Sequence, residues 1–236
     1  MKSSEYRKKI VDSWFSYLQI QICKEFENIE GGNTKFVKRN WYKKVKKEGG
    51  GVSYLLKEGN IFEKVGVNKS TVSGKFKKEF RSKIFGAKRD GRYWASGISV
   101  VAHMKNPKIP AIHFNTRFIV TTKEWFGGGM DVTPSHPDKK EKEMTHSKLK
   151  KVCVQNKKNY RKYKIWCDNY FYLPHRDEIR GIGGIFFDYE KSDWVKDFKF
   201  VRELGLIFID ISKEIIKKKR NLNWTKKDKN KQLLKR

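Results

Sequence analysis

Three consecutive stretches constrain this chain most: Gly97 to Met104, Ala111 to Thr122 and Glu124 to Thr133. Each has the residue alternation and β-branched or aromatic content of a strand. The first two are separated by Lys105-Asn106-Pro107-Lys108-Ile109-Pro110, whose prolines fit a turn. Alternation places His113, Asn115 and Arg117 on one face of the second strand, with Ile112, Phe114, Thr116, Phe118 and Val120 on the other. Ser99, Val101 and His103 share a face of the first strand. Paired as a hairpin, the two strands bring Ser99, His103, His113, Asn115 and Arg117 into one wall. Such a wall suits a polar, anionic ligand, because a guanidinium grips carboxylates with two parallel hydrogen bonds. The competing reading is a merely wet strand face.

Elements around these strands follow from periodicity. Apolar residues three or four apart predict helices over Ser4 to Glu30, Pro137 to Asn156, Tyr160 to Tyr172 and Ser192 to Lys219. A short helix is expected over Lys75 to Phe85. Lys35 to Lys44 reads as a weak strand, Gly59-Asn60 as a turn between two apolar runs, and Gly181 to Tyr189 as a buried strand. Strands in adjacent pairs followed by runs of helix predict an α+β fold, with a large, mostly antiparallel sheet covered by helices. No repeat or linker divides residues 1–236, so one domain is expected.

Charge matters for the choice of partner. Lys and Arg number 55 against 26 Asp and Glu, a formal net charge of +29. Of the basic residues 43 are Lys, scattered over nearly every segment, with no zinc-finger spacing, RNP-like run or helix-turn-helix pattern. We read a solvated basic surface rather than a nucleic-acid site. Such a field still attracts a polyanionic small molecule. Cys23, Cys153 and Cys167 are far apart and odd in number, which predicts reduced thiols. With no apolar leader and no run near the ~20 residues of a membrane span, a cytoplasmic protein is expected.

The stretches GVSYLLKEGNIFEKVGVNKSTVSG, SGISVVAHMKNPKIPAIHFNTRF, EWFGGGMDVTP, YKIWCDNYFYLPHRDEIRGIGGIFFDYE and FVRELG resemble oxygen-dependent coproporphyrinogen-III oxidase, a family of haem synthesis. Taken together these motifs are long and specific. The resemblance implies that family's fold, an antiparallel sheet with helices on both faces. It also implies oxidative decarboxylation of two propionates of coproporphyrinogen III to vinyls, with O2 as oxidant and no organic cofactor, giving protoporphyrinogen IX.

By the same resemblance Ser99, Asn115, Thr116 and Arg117 contact substrate, and His113 is a proton donor. Asp131 is a carboxylate facing the pyrrole nitrogens. Arg176 and Arg180 are further cations near His175. Some descriptions of the family place a divalent metal on four histidines, which match His103, His113, His146 and His175. Spacing alone carries no ligand signature and favours a structural histidine on a helix for His146, and His136 matches no family role. The family forms homodimers and runs on past this chain's last residues into a further strand-rich segment. That implies a shortened chain, with dimerisation and activity open. The alternatives are an inactive relative that only binds tetrapyrrole and a basic nucleic-acid-binding protein.

Overall fold

The computed structural model describes residues 2–235. The chain opens with helix α1 (Lys2–Glu30), followed by strands β1 (Val37–Tyr42), β2 (Gly49–Lys57) and β3 (Phe62–Lys75) and a single-turn helix α2 (Lys78–Arg81). Next come β4 (Arg92–Met104), β5 (Ala111–Val120), β6 (Glu124–Thr133), and helices α3 (Lys139–Gln155) and α4 (Tyr160–Tyr170). A two-stranded ribbon, β7 (Tyr172–Leu173) and β8 (Glu178–Ile179), precedes β9 (Gly183–Glu190), α5 (Trp194–Lys219) and α6 (Lys226–Leu234).

Seven strands form one sheet in the order β1-β2-β3-β4-β5-β6-β9, antiparallel throughout. The antiparallel α+β expectation holds. The meander arises because each connection from β1 to β6 is short. The β3–β4 connection holds only the single-turn α2, whereas the step to β9 spans the long helices α3 and α4.

One face of the sheet carries the core. Residues of β5 alternate strictly between buried and half-buried. The buried set, Ile112, Phe114, Phe118 and their neighbours, faces α1 and α5. Phe62, Phe26, Phe208 and Phe114 form an aromatic chain with successive centroids 5.0, 6.1 and 4.8 Å apart. This joins α1, the sheet and α5 through large buried rings, each a major contribution to stability. The Glu30 carboxylate, 4% exposed at the end of α1, accepts from the backbone N–H groups of Asn60, Ile61 and Phe62. It thereby fixes the β2–β3 turn that Gly59-Asn60 signals.

The other face of the sheet is covered only at one end. There α4 lies on β9, with Tyr170 stacked on Phe186 at 4.4 Å and Trp166 edge-on to it at 5.4 Å. Helices thus flank both faces, but unequally, and the middle of this face stays open. Three differences from expectation have physical causes. The helix expected over Lys75 to Phe85 shrinks to Lys78–Arg81, and its start is delayed because Lys75 is still in β3, paired with Arg92 of β4. Strand β4 starts at Arg92, earlier than Gly97, since the β3 partner runs that far. Helix α6 carries a Thr225–Asp228 capping box within a Lys-rich run that hides any apolar stripe.

Candidate functional site

The register of β4, β5, β6 and β9 builds the site row by row on the open face. Val101, His113, Asp131 and Gly184 lie side by side across four strands. Ser99, Asn115, Gly129 and Phe186 form the next row, and Gly97, Arg117 and Gly127 the third. His103 follows one step beyond Val101. The sequence thus brings five of its expected wall residues to one face. Thr116 is the exception. Its side chain is 1% exposed on the helix-covered face, its hydroxyl has no partner, and it packs where Gly128 lacks a side chain. It therefore cannot share a wall with Asn115 and Arg117.

Asp131 is the centre of the arrangement. It is 1% exposed, yet both carboxylate oxygens are engaged. His113 Nδ1 lies 2.8 Å from Oδ1, and the Arg180 guanidinium donates to Oδ2 at 2.8 Å. A buried carboxylate needs such partners, because desolvation without them is expensive. With Nδ1 donating to Asp131, His113 keeps Nε2 as its free ring position.

Arg180 reaches Asp131 through local backbone. The β7–β8 ribbon turns at Asp177, in the left-handed region at φ 49°. The Arg180 N–H then donates to the Phe171 carbonyl, and the Ile182 N–H to the Val132 carbonyl. The guanidinium lies over the Phe171 ring at 3.7 Å, within cation–π range. Phe171 also stands edge-on to His113 at 6.1 Å. Sequence patterning places Arg180 near His175 but shows neither its bond to Asp131 nor the part of Phe171. Both depend on the ribbon folding back over β6.

A cavity of about 310 Å³ opens over this group, lined by His103, His113, Asp131, Phe171 and Arg180 among others. Gln232 and Lys235, from α6 and its end, close one side. A second hollow of about 460 Å³ shares Thr133, Arg180 and Lys235 with it and adds Lys139, Lys142 and Arg176. A trough of about 600 Å³ shares Val101 and His103 and extends over Arg39, Lys64 and Asn68. Cations thus flank a largely apolar cavity with a carboxylate at its floor, a combination matched to a ligand with an N–H-bearing centre and anionic arms. Ser99, Asn115 and Arg117 lie beside the first cavity, farther along the same face. The glycines of β6 are approached by protein, Gly128 by Thr116 and Gly127 by Arg117 and Asp188.

The four histidines matched to a metal do not converge. His146 is satisfied at both ring nitrogens, Nε2–H donating to the Ile182 carbonyl and Nδ1 accepting from the Tyr160 hydroxyl, each at 2.8 Å. Burial holds its pKa below the ordinary value. His175 sits in the exposed turn Pro174–Arg176, on the ribbon rather than the sheet. Among the described residues no group of three or more His, Cys, Asp or Glu could hold a metal ion. The residues present therefore do not fit a bound metal. All three cysteines are buried, and desolvation pushes each thiol up to about 12, far from nucleophilic use.

Comparison with known proteins gives a consistent picture. A family model described as coproporphyrinogen III oxidase matches residues 10–236. The oxygen-dependent coproporphyrinogen-III oxidase of Rickettsia akari (strain Hartford) is 47% identical, over 97% of this chain and 85% of that protein. The protein of the same name from Rickettsia typhi (strain ATCC VR-144 / Wilmington) is 48% identical with the same coverage.

Proposed function

Because the chain belongs to the coproporphyrinogen III oxidase family, we propose that its open sheet face binds coproporphyrinogen III and that Asp131 and His113 serve its oxidation by O2. The observation that carries this reading is the buried Asp131 carboxylate, held by His113 and Arg180 at the floor of a cation-flanked cavity. No observation favours a nucleic-acid-binding reading.

The chemistry follows from the groups present. Each reacting propionate loses carbon dioxide, a proton and two electrons to become a vinyl, and O2 accepts the electrons. A porphyrinogen is electron-rich and carries four pyrrole N–H donors. Asp131 accepts those N–H bonds and stabilises the positive character that develops on the ring as electrons leave, an effect strengthened by its burial. His113, bonded to Asp131 through Nδ1, presents Nε2 to receive or return a proton. Arg117, with Ser99 and Asn115 beside it, anchors carboxylate arms, and Lys235 in the cavity and Arg176 in the adjoining hollow attract others. No organic cofactor enters this reading.

The test is incubation of the purified chain with coproporphyrinogen III in air and under argon, followed by chromatography and mass analysis. The expected product has lost two carboxyl groups and forms only in air. Unchanged substrate in air, with the protein folded, would overturn the reading.

A further inference from the structure

The structure assigns Asp188 as a positioning residue for Arg117: together they form one preset carboxylate anchor on the open face. This rests on the functional reading above and adds to it a residue outside the motif faces of β4, β5 and β6.

The geometry is specific. Asp188 lies at the end of β9, where the register with β6 shifts between Phe126 and Gly128 and where Tyr189 adopts φ 59°. The distortion turns its carboxylate across β6. Oδ1 accepts from Trp125 Nε1 at 3.1 Å and from the Tyr189 N–H at 3.0 Å. Oδ2 accepts from Arg117 Nη2 at 2.8 Å. Trp125 is itself held, 4% exposed and stacked on Tyr189 at 5.5 Å. The carboxylate is thus fixed before Arg117 meets it.

Gly127 explains how the two meet across an intervening strand. A Cβ there would collide with Asp188 Oδ1 and lie 3.0 Å from Arg117 Nε. The missing side chain is the passage for the pair. Arg117 has five N–H donors in a planar fork. Asp188 holds one, and among the described residues the guanidinium's other hydrogen bond is a long one, 3.4 Å, to Asn115 Oδ1. The remaining donors are free for a second carboxylate. Holding the guanidinium in place beforehand removes the ordering penalty on binding. Oδ1 serves the fold by satisfying Trp125 and Tyr189, whereas the Oδ2–Arg117 ion pair, with side chains 32% and 18% exposed, leaves the guanidinium open to solvent and to a ligand.

The probe is coproporphyrin III, the oxidised and unreactive tetracarboxylate, titrated against tryptophan fluorescence. Asp188→Asn is expected to weaken binding about tenfold, the scale of one charged hydrogen bond. Arg117→Gln should weaken it at least as much. The double variant should bind no worse than Arg117→Gln alone, because Asp188 acts only through Arg117. Gly127→Ala keeps both charges but blocks their meeting, and should reproduce the Asp188→Asn loss. In turnover the loss should fall on KM rather than kcat, since Asp188 touches neither Asp131 nor His113. Wild-type affinity in Asp188→Asn, or additive losses in the double variant, would overturn the inference alone. Absence of binding by the wild type would overturn the functional reading and this inference with it.

Discussion

Asp131, Thr116 and Arg180 show what a single residue's surroundings decide. Asp131 is buried with two cationic or donor partners, so replacing it removes the acceptor and strands Arg180 and His113 at once. Asp131→Ala is predicted to lower kcat by about 10²–10³, the range for losing one preorganised electrostatic group, measured as initial rate of product formation. Thr116 is the converse. Its hydroxyl is buried without a partner, so Thr116→Val should leave stability within about 1 kcal/mol of wild type, or raise it, in urea unfolding. Strand alternation made the positions of His113, Asn115 and Arg117 legible. The same alternation puts Thr116 on the opposite face, against the role implied by resemblance. Arg180 was legible only as a nearby cation, because its bond to Asp131 spans 49 residues and two folded-back strands. Asp188 left a fainter trace, an acid directly after the apolar run GGIFF, and its bond to Arg117 is as non-local.

Elements were read well where their periodicity is long. Helix α5 matches its expected span to within two residues; of the six positions whose spacing marks them as core, Phe198, Val201, Leu204 and Phe208 are buried and Trp194 and Ile207 partly so. Phe208→Ala should destabilise by about 3–5 kcal/mol, since it empties the centre of the aromatic chain. Elements defined by tertiary context were not legible. The β7–β8 ribbon is too short for a pattern, and α6 has its turns filled with Lys and Asn. Helix α3 is tied to α4 and to the entry of β9 by His146, through Tyr160 and the Ile182 carbonyl. Its pKa is depressed by burial, so the unfolded chain binds the proton more readily. Stability from this contact is present above the unfolded histidine pKa of about 6.5 and is lost as pH falls below it. Melting temperatures from pH 7.5 to 5 should therefore fall more steeply for wild type than for His146→Gln. Equal slopes would remove His146 from the acid sensitivity.

The whole molecule joins a one-sided core to an open, cation-flanked face. Layer order was legible from the succession of strands and helices, whereas the unequal cover that leaves the site open was not, because it depends on α4 docking only at β9. The net charge of +29 acts at this scale as a diffuse field. A tetracarboxylate should be drawn in by it, so kcat/KM should fall as salt is raised past the point where the Debye length is about 10 Å, with kcat little changed. No described helix is long and apolar enough to cross a membrane. The central claim is where the tetrapyrrole sits, and a crystal structure of the chain with coproporphyrin III tests it most directly. The account predicts the ring over β5 and β6, its nitrogens about 3 Å from the Asp131 carboxylate and one propionate on Arg117. A porphyrin bound elsewhere, with Asp131 still engaged only by His113, Arg180 and Thr133, would contradict it.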